Sequence, residues 1–192
     1  MRKGIYLLLA LICTSCSGIA IPLDKSDYIS PDKISFEFVD LRQENEKLIR
    51  NAKEEQPYLS YGDKEFVPDR LLVLKDALMN QCGQKLSGHK VVITRFEFVA
   101  YIPGFFKKLE NVGNASAFGG LVGGSVAAAM EKPDMGDRFI CSLEATIDGK
   151  PIAVNDYEAI PGYIDLSPAK EAGNKLIQRT ITAFVAKVNI SL

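Results

Sequence analysis

The sequence predicts an α+β domain in which an antiparallel sheet of about four strands carries two main helices packed on one face. Three features support this: the β-rich run KVVITRFEFVAY, an Asp148-Gly149 turn between two alternating runs, and a long apolar stripe at helical spacing near residue 180. The order strand, helix, strand, hairpin, helix gives both helices a sheet against which to bury their stripes.

Taken in order, Ile34, Phe36 and Phe38 alternate with Ser35 and Glu37, the period-two pattern of a half-buried strand. The polar stretch QENEKLIRNAKEEQP reads as a solvated connection with room for a short helix around residues 44–54. Pro68 is placed to open the first helix, residues 68–82, at its N1 position, with Asp69 in the first turn and Gly83 just past the end. Tyr58, Tyr61 and Phe66, ahead of that helix, suit either an aromatic staple onto the core or the lining of a ligand groove. Residues 90–101 are the most β-prone part of the chain. Residues 139–147 and 152–157 make the hairpin, and Pro151 puts the returning strand at an edge. Ser167-Pro168 caps the last helix, residues 167–188, whose apolar face runs from Ala172 through Leu176, Ile177, Ile181, Phe184 and Val185 to Val188.

Ahead of this domain, MRKGIYLLLALICTSC has the grammar of an export signal: Arg2 and Lys3, then a short apolar run, then small residues at Thr14 and Ser15. The apolar run is too short to cross a bilayer core of roughly 30 Å as a helix. Cys16 follows Ser15 directly, which resembles the lipobox of bacterial lipoproteins, although Cys13 stands where that motif usually has Leu. The resemblance implies that Cys16 becomes the first mature residue and carries a diacylglyceryl thioether and an N-linked acyl chain such as palmitate. The absence of Asp at Ser17 resembles the sorting rule for the outer membrane, with the domain facing the periplasm. Cleavage after Ala20 would instead release a soluble periplasmic protein. The expected division is residues 1–15 as signal peptide, 16–33 as lipidated N-terminus and tether, and 34–192 as one α+β domain with a glycine-rich insertion at 111–130.

Losing Arg2 and Lys3 from 23 basic residues leaves 21 against 24 acidic ones, a net charge of about −3 that is no footprint for nucleic acid. Two thiols remain besides Cys13 and Cys16. Cys82 continues the Leu71, Leu74, Leu78 stripe, and Cys141 shares a strand face with Phe139, Leu143 and Ile147. Both point inward, and an oxidising periplasm favours a Cys82–Cys141 disulfide; unlinked, the two would pack as small hydrophobes.

Catalytic chemistry has little to stand on. His89, the single histidine, sits in a Gly-His-Lys turn and reads as an exposed loop residue. Asp134 and Asp137 flank Met135-Gly136 without the dense oxygen ligands of a calcium loop, so no metal site is expected. Nor does the chain contain the glycine motifs of nucleotide sites or a nucleophile elbow.

Residues 111–130 contain no charge, five Gly and five Ala. Gly119 and Gly123, and Gly120 and Gly124, form overlapping G-x-x-x-G pairs that would let another backbone approach a helix closely. Phe105, Phe106, Lys107 and Lys108, just before the run, suit either an interfacial anchor or a strand end with solvated lysines. The run is thus a candidate packing or membrane-contact surface, with a loop as the alternative.

The element order, the Asp40-Leu41-Arg42 turn and the helices PDRLLVLKDALMNQC and SPAKEAGNKLIQRTITAFVAKV resemble the small outer-membrane lipoproteins of the YajG type. That resemblance spans most of the mature domain and implies address and fold, not an activity. The glycine run departs from that type; in place and composition it is similar to the longer segment of TraT-type surface-exclusion lipoproteins, which implies self-association. The expectation is a membrane-anchored envelope lipoprotein with a non-enzymatic structural or interaction role and no cofactor beyond the lipid on Cys16. Its expected partners are the membrane and either another copy or an envelope protein. Two alternatives stay open: an oligomeric or membrane-interacting surface lipoprotein, and a lipid-binding accessory of envelope transport with an acyl-sized pocket between sheet and helices.

Overall fold

The computed structural model describes residues 21–23, 36–44, 46, 58–103, 136–161 and 167–192. In chain order the strands are β1 (Ile21–Pro22), β2 (Glu37–Asp40), β3 (Tyr58–Tyr61), β4 (Phe66–Val67), β5 (Lys90–Tyr101), β6 (Arg138–Ile147) and β7 (Lys150–Ala159). Helix α1 (Arg70–Cys82) separates β4 from β5, and helix α2 (Ser167–Ser191) follows β7.

The class is α+β with two main helices, but the sheet has five strands and is mixed, which corrects the expected four-stranded antiparallel arrangement. Strand β5 is long enough for two partners on one edge. Its first residues, Lys90 to Ile93, pair in parallel with β2, and its last, Phe98 to Tyr101, pair antiparallel with β3. A bulge between Ile93 and Arg95 lies between the two segments. In the gap, the Phe96 N–H donates to Glu46 Oε2 at 3.1 Å, so a carboxylate completes the edge that neither strand reaches. On the other edge β5 pairs with β6 and β6 with β7, antiparallel throughout.

The hairpin forms as its residues dictate. Asp148 and Gly149 have φ of 49° and 83°, both in the left-handed region that a tight turn between twisted strands requires. Strand β7 is an edge strand and tolerates Pro151, which has no N–H to give a further neighbour.

Alternation sorts the side chains. Ile93, Phe96 and Phe98 of β5 and Phe139, Cys141 and Leu143 of β6 join Leu74 and Leu78 of α1 and Leu176, Phe184 and Val188 of α2 in one core. Each large apolar side chain so buried stabilises the fold by about 1.5–3 kcal/mol. Tyr61 and Phe66 belong to this core and meet Phe98 edge-on with centroids 5.5 Å apart, so they act as the aromatic staple. Tyr58 lies on the opposite sheet face with Val99 and Ile140.

Helix α1 starts later than its proline suggests. Asp69 is the N-cap, its Oδ1 accepting the Leu71 N–H at 2.7 Å, and Pro68 stands one residue outside. Helix α2 runs to Ser191, three residues past the expected end, with Pro168 in its first turn. Arg179 ties α2 to β7 through Asp156, Glu158 and the Tyr157 carbonyl.

The N-terminal residues depart most from expectation. Residues 16–33 were expected to be tether, yet Ile21 is 1% exposed, Leu23 is also buried, and β1 pairs in parallel with β4. Apolar side chains at these two positions give the segment a reason to dock. Gly173 of α2 makes room: a Cβ there would lie 3.3 Å from Ile21 Cδ1 and 3.4 Å from Phe98 Cζ. Gly173→Leu is therefore expected to overpack this contact and destabilise the domain by about 1–3 kcal/mol in urea denaturation. Gly173→Ala should be close to neutral, since a gain in helix propensity offsets the tight contact.

Candidate functional site

Of the residues singled out from the sequence, Cys16, Phe105, Phe106, Gly119, Gly120, Gly123 and Gly124 lie outside the described residues. The two remaining cysteines do not form the expected disulfide: Cys82 and Cys141 are buried free thiols. Each meets a different turn of α2. Cys82 Sγ lies 3.8 Å from the Val185 carbonyl, whereas the Cys141 thiol hydrogen-bonds with Thr180. Those two helix positions are about 7.5 Å apart along the axis, so facing the same helix does not bring the sulfurs together. Burial pushes the Cys82 thiol up and pushes Cys141 up to about 12, which suppresses the reactive thiolate. Without reductant, iodoacetamide should label neither thiol in the folded protein and both after denaturation, as read by mass spectrometry.

His89 sits in a half-exposed turn with Nδ1 2.5 Å from Asp148 Oδ2. The Lys90 N–H and this imidazole hold the exposed Asp148 carboxyl below its ordinary range. The pair fixes the hairpin turn against the start of β5. Asp137 is exposed, and no group of potential metal ligands occurs among the described residues.

The densest chemistry lies where the sequence offered only a short Asp-x-Arg. Beyond the end of β2, Arg42 donates from Nε to Asp40 Oδ1 at 2.9 Å and from Nη1 and Nη2 to the two oxygens of Asp63 at 3.0 and 2.9 Å. Asp63 opens a short 3-10 helix, Asp63–Glu65, before β4. The same carboxylate accepts from Arg70 Nε at 2.9 Å, and Arg70 Nη2 donates to the Glu46 carbonyl at 2.7 Å. Arg70 is fully buried, its guanidinium 5.0 Å from the centroid of Phe66 and 5.3 Å from that of Phe96. One carboxylate thus holds two arginines and binds together the end of β2, the β3–β4 connection and the start of α1.

Protonation follows from burial. Desolvation alone would lower the Arg42 pKa, but its bonds to Asp40 and Asp63 raise it above the ordinary arginine value. Arg70 is lowered by burial, with Asp63 opposing. Burial raises Glu46 and Asp69 above the usual carboxylate range. Glu97, on the sheet face away from the helices, is 8% exposed and pushed up to about 7, first by burial and then by the charge of Glu46.

A signal for this clamp was present in the sequence. Arg70 sits four residues before Leu74, in step with Leu78 and Cys82, so the buried stripe of α1 begins with an arginine. A cation on that stripe demands an inward acid, and Asp63 is seven residues upstream. The clamp's hydrogen bonds join its own members and the Glu46 carbonyl, while Arg70 Nη1 is buried without a partner among the described residues. The space between sheet and helices, where a lipid-binding accessory would need its pocket, is filled by Phe96, Phe98, Leu74, Leu78 and Phe184. No family model, curated protein or solved structure matches this chain.

Proposed function

We propose that this chain is a lipid-anchored lipoprotein of the bacterial envelope, akin to the YajG type, whose domain has a non-enzymatic structural or interaction role at the outer membrane. The observation that carries the reading is the leader ending in Ser15-Cys16, followed after only residues 17–20 by the docked strand β1. A thioether-linked diacylglycerol with a further acyl chain anchors stably, because each buried methylene contributes roughly 0.8 kcal/mol. The described polar clusters favour an interaction role over catalysis: Asp40, Arg42, Asp63 and Arg70 neutralise one another, and both thiols are held protonated.

The test is expression with the native leader in a Gram-negative host, followed by mass spectrometry of the mature N-terminus and cross-linking in intact cells. A chain that begins at acylated Cys16 and fractionates with the outer membrane is expected. Cys16→Ser should abolish both acylation and membrane retention. A mature chain beginning after Ala20, free in the periplasm, would overturn the proposal. Recovery of a cross-linked homo-oligomer would assign the interaction to self-association, and recovery of a distinct envelope protein would identify the partner.

A further inference from the structure

The domain has two distinct poles. At one, β1 lies beside β4, Ile21 meets Gly173 and Phe98, and α1 begins. At the other, Asp148–Gly149 turns the hairpin, Lys85 Nζ donates to the Asn189 carbonyl, and α2 ends. The seventeen helical steps from Gly173 to Ile190 place these poles about 25 Å apart.

If Cys16 is acylated as proposed above, on which this inference rests, its backbone sits at the level of the lipid headgroups. From Cys16 to Ile21 is five residues, which reach at most about 17 Å fully extended. A domain of this size is on the order of 40 Å across, so a tether of this length keeps the first pole within about 17 Å of the membrane and cannot let the domain turn over.

The surface of the first pole matches that placement. Val67, paired with Pro22, is 57% exposed, and Leu72 in the first turn of α1 is 49% exposed. Exposed Lys64 precedes them. The same pole holds the ends of β5 and β6, where Tyr101 pairs with Arg138.

We infer that the β1–β4 pole, with Val67 and Leu72, lies against the phospholipid headgroup layer, and that the pole carrying Asp148–Gly149 and the end of α2 points away from the membrane.

The experiment uses the full-length, leader-processed protein purified from bacterial membranes and reconstituted into phosphatidylethanolamine–phosphatidylglycerol vesicles containing a headgroup-nitroxide lipid. Val67→Cys and Ile190→Cys variants, both at exposed positions, carry a fluorophore; Cys82 and Cys141 are buried, and protein without an added cysteine reports any labelling there. Mass spectrometry of each sample determines whether Cys16 is acylated. The expected result is quenching several-fold stronger at position 67 than at position 190. Acylated protein with equal quenching at both positions overturns this inference alone. An unacylated Cys16 overturns it together with the proposal it rests on.

Discussion

Asp63→Ala should destabilise the domain by about 3–5 kcal/mol, the largest loss expected from any single polar substitution here. Its carboxylate receives two buried arginines, one of them fully enclosed between aromatic rings. Removing it leaves two cations in a desolvated site, with Asp40 the one carboxylate still bonded to Arg42. Domains of this size have only about 5–15 kcal/mol of net stability, so the variant approaches the unfolding threshold. Asp40→Ala removes a more exposed partner and leaves Asp63 bridging both arginines, so it should cost about 1 kcal/mol. Urea denaturation at pH 7 checks the ranking; equal losses for the two variants would mean that Asp63 is not the centre of the clamp.

Glu97 should make the domain lose stability as pH rises from about 4.5 to about 7. Its folded-state pKa, about 7, lies above the ordinary value of 4.5, so the native state holds this proton more tightly than the unfolded chain does. For an acid raised in this way, the stabilisation is present below pH 4.5, declines between about 4.5 and 7, and is gone above. Arg95 and Arg70 oppose the rise, whereas Glu46 and Glu144 reinforce it. The difference in pKa corresponds to at most about 3 kcal/mol. Glu97→Gln keeps the shape without the charge. It should match the parent near pH 4.5, exceed it by up to about 3 kcal/mol at pH 8, and flatten the slope between. Parallel stability curves for the two proteins from pH 4.5 to 8 would show that Glu97 carries no such linkage.

The sequence made some elements legible and hid others for physical reasons. Strand β5 and the β6–β7 hairpin were readable because alternation and an Asp-Gly turn are local signals. The parallel direction of β2 was not, because alternating Phe36 and Phe38 report a buried face and say nothing about the neighbour's polarity. Strand β3, YLSY, was missed because four residues flanked by Gly62 give little periodicity, and its tyrosines serve opposite sheet faces. The cysteines' inward direction was readable, but their separation depended on where α2 runs. Similarly, Asp40-Leu41-Arg42 was visible as a motif, while its function as a clamp required Asp63 and Arg70, which only the tertiary fold brings together.

If the chain is exported as proposed, the contact between Ile21 and Gly173 bears on the order in which it acquires its structure. A polypeptide threaded through the envelope from its N-terminus presents β1 first and α2 last, separated by about 150 residues. The first segment to emerge can pair with β4 early but completes its docking against Gly173 only when the final helix has folded, and long-range contacts of this kind form slowly. An acylated chain would meet its bilayer while still unfolded and gain a fixed orientation there only at the end.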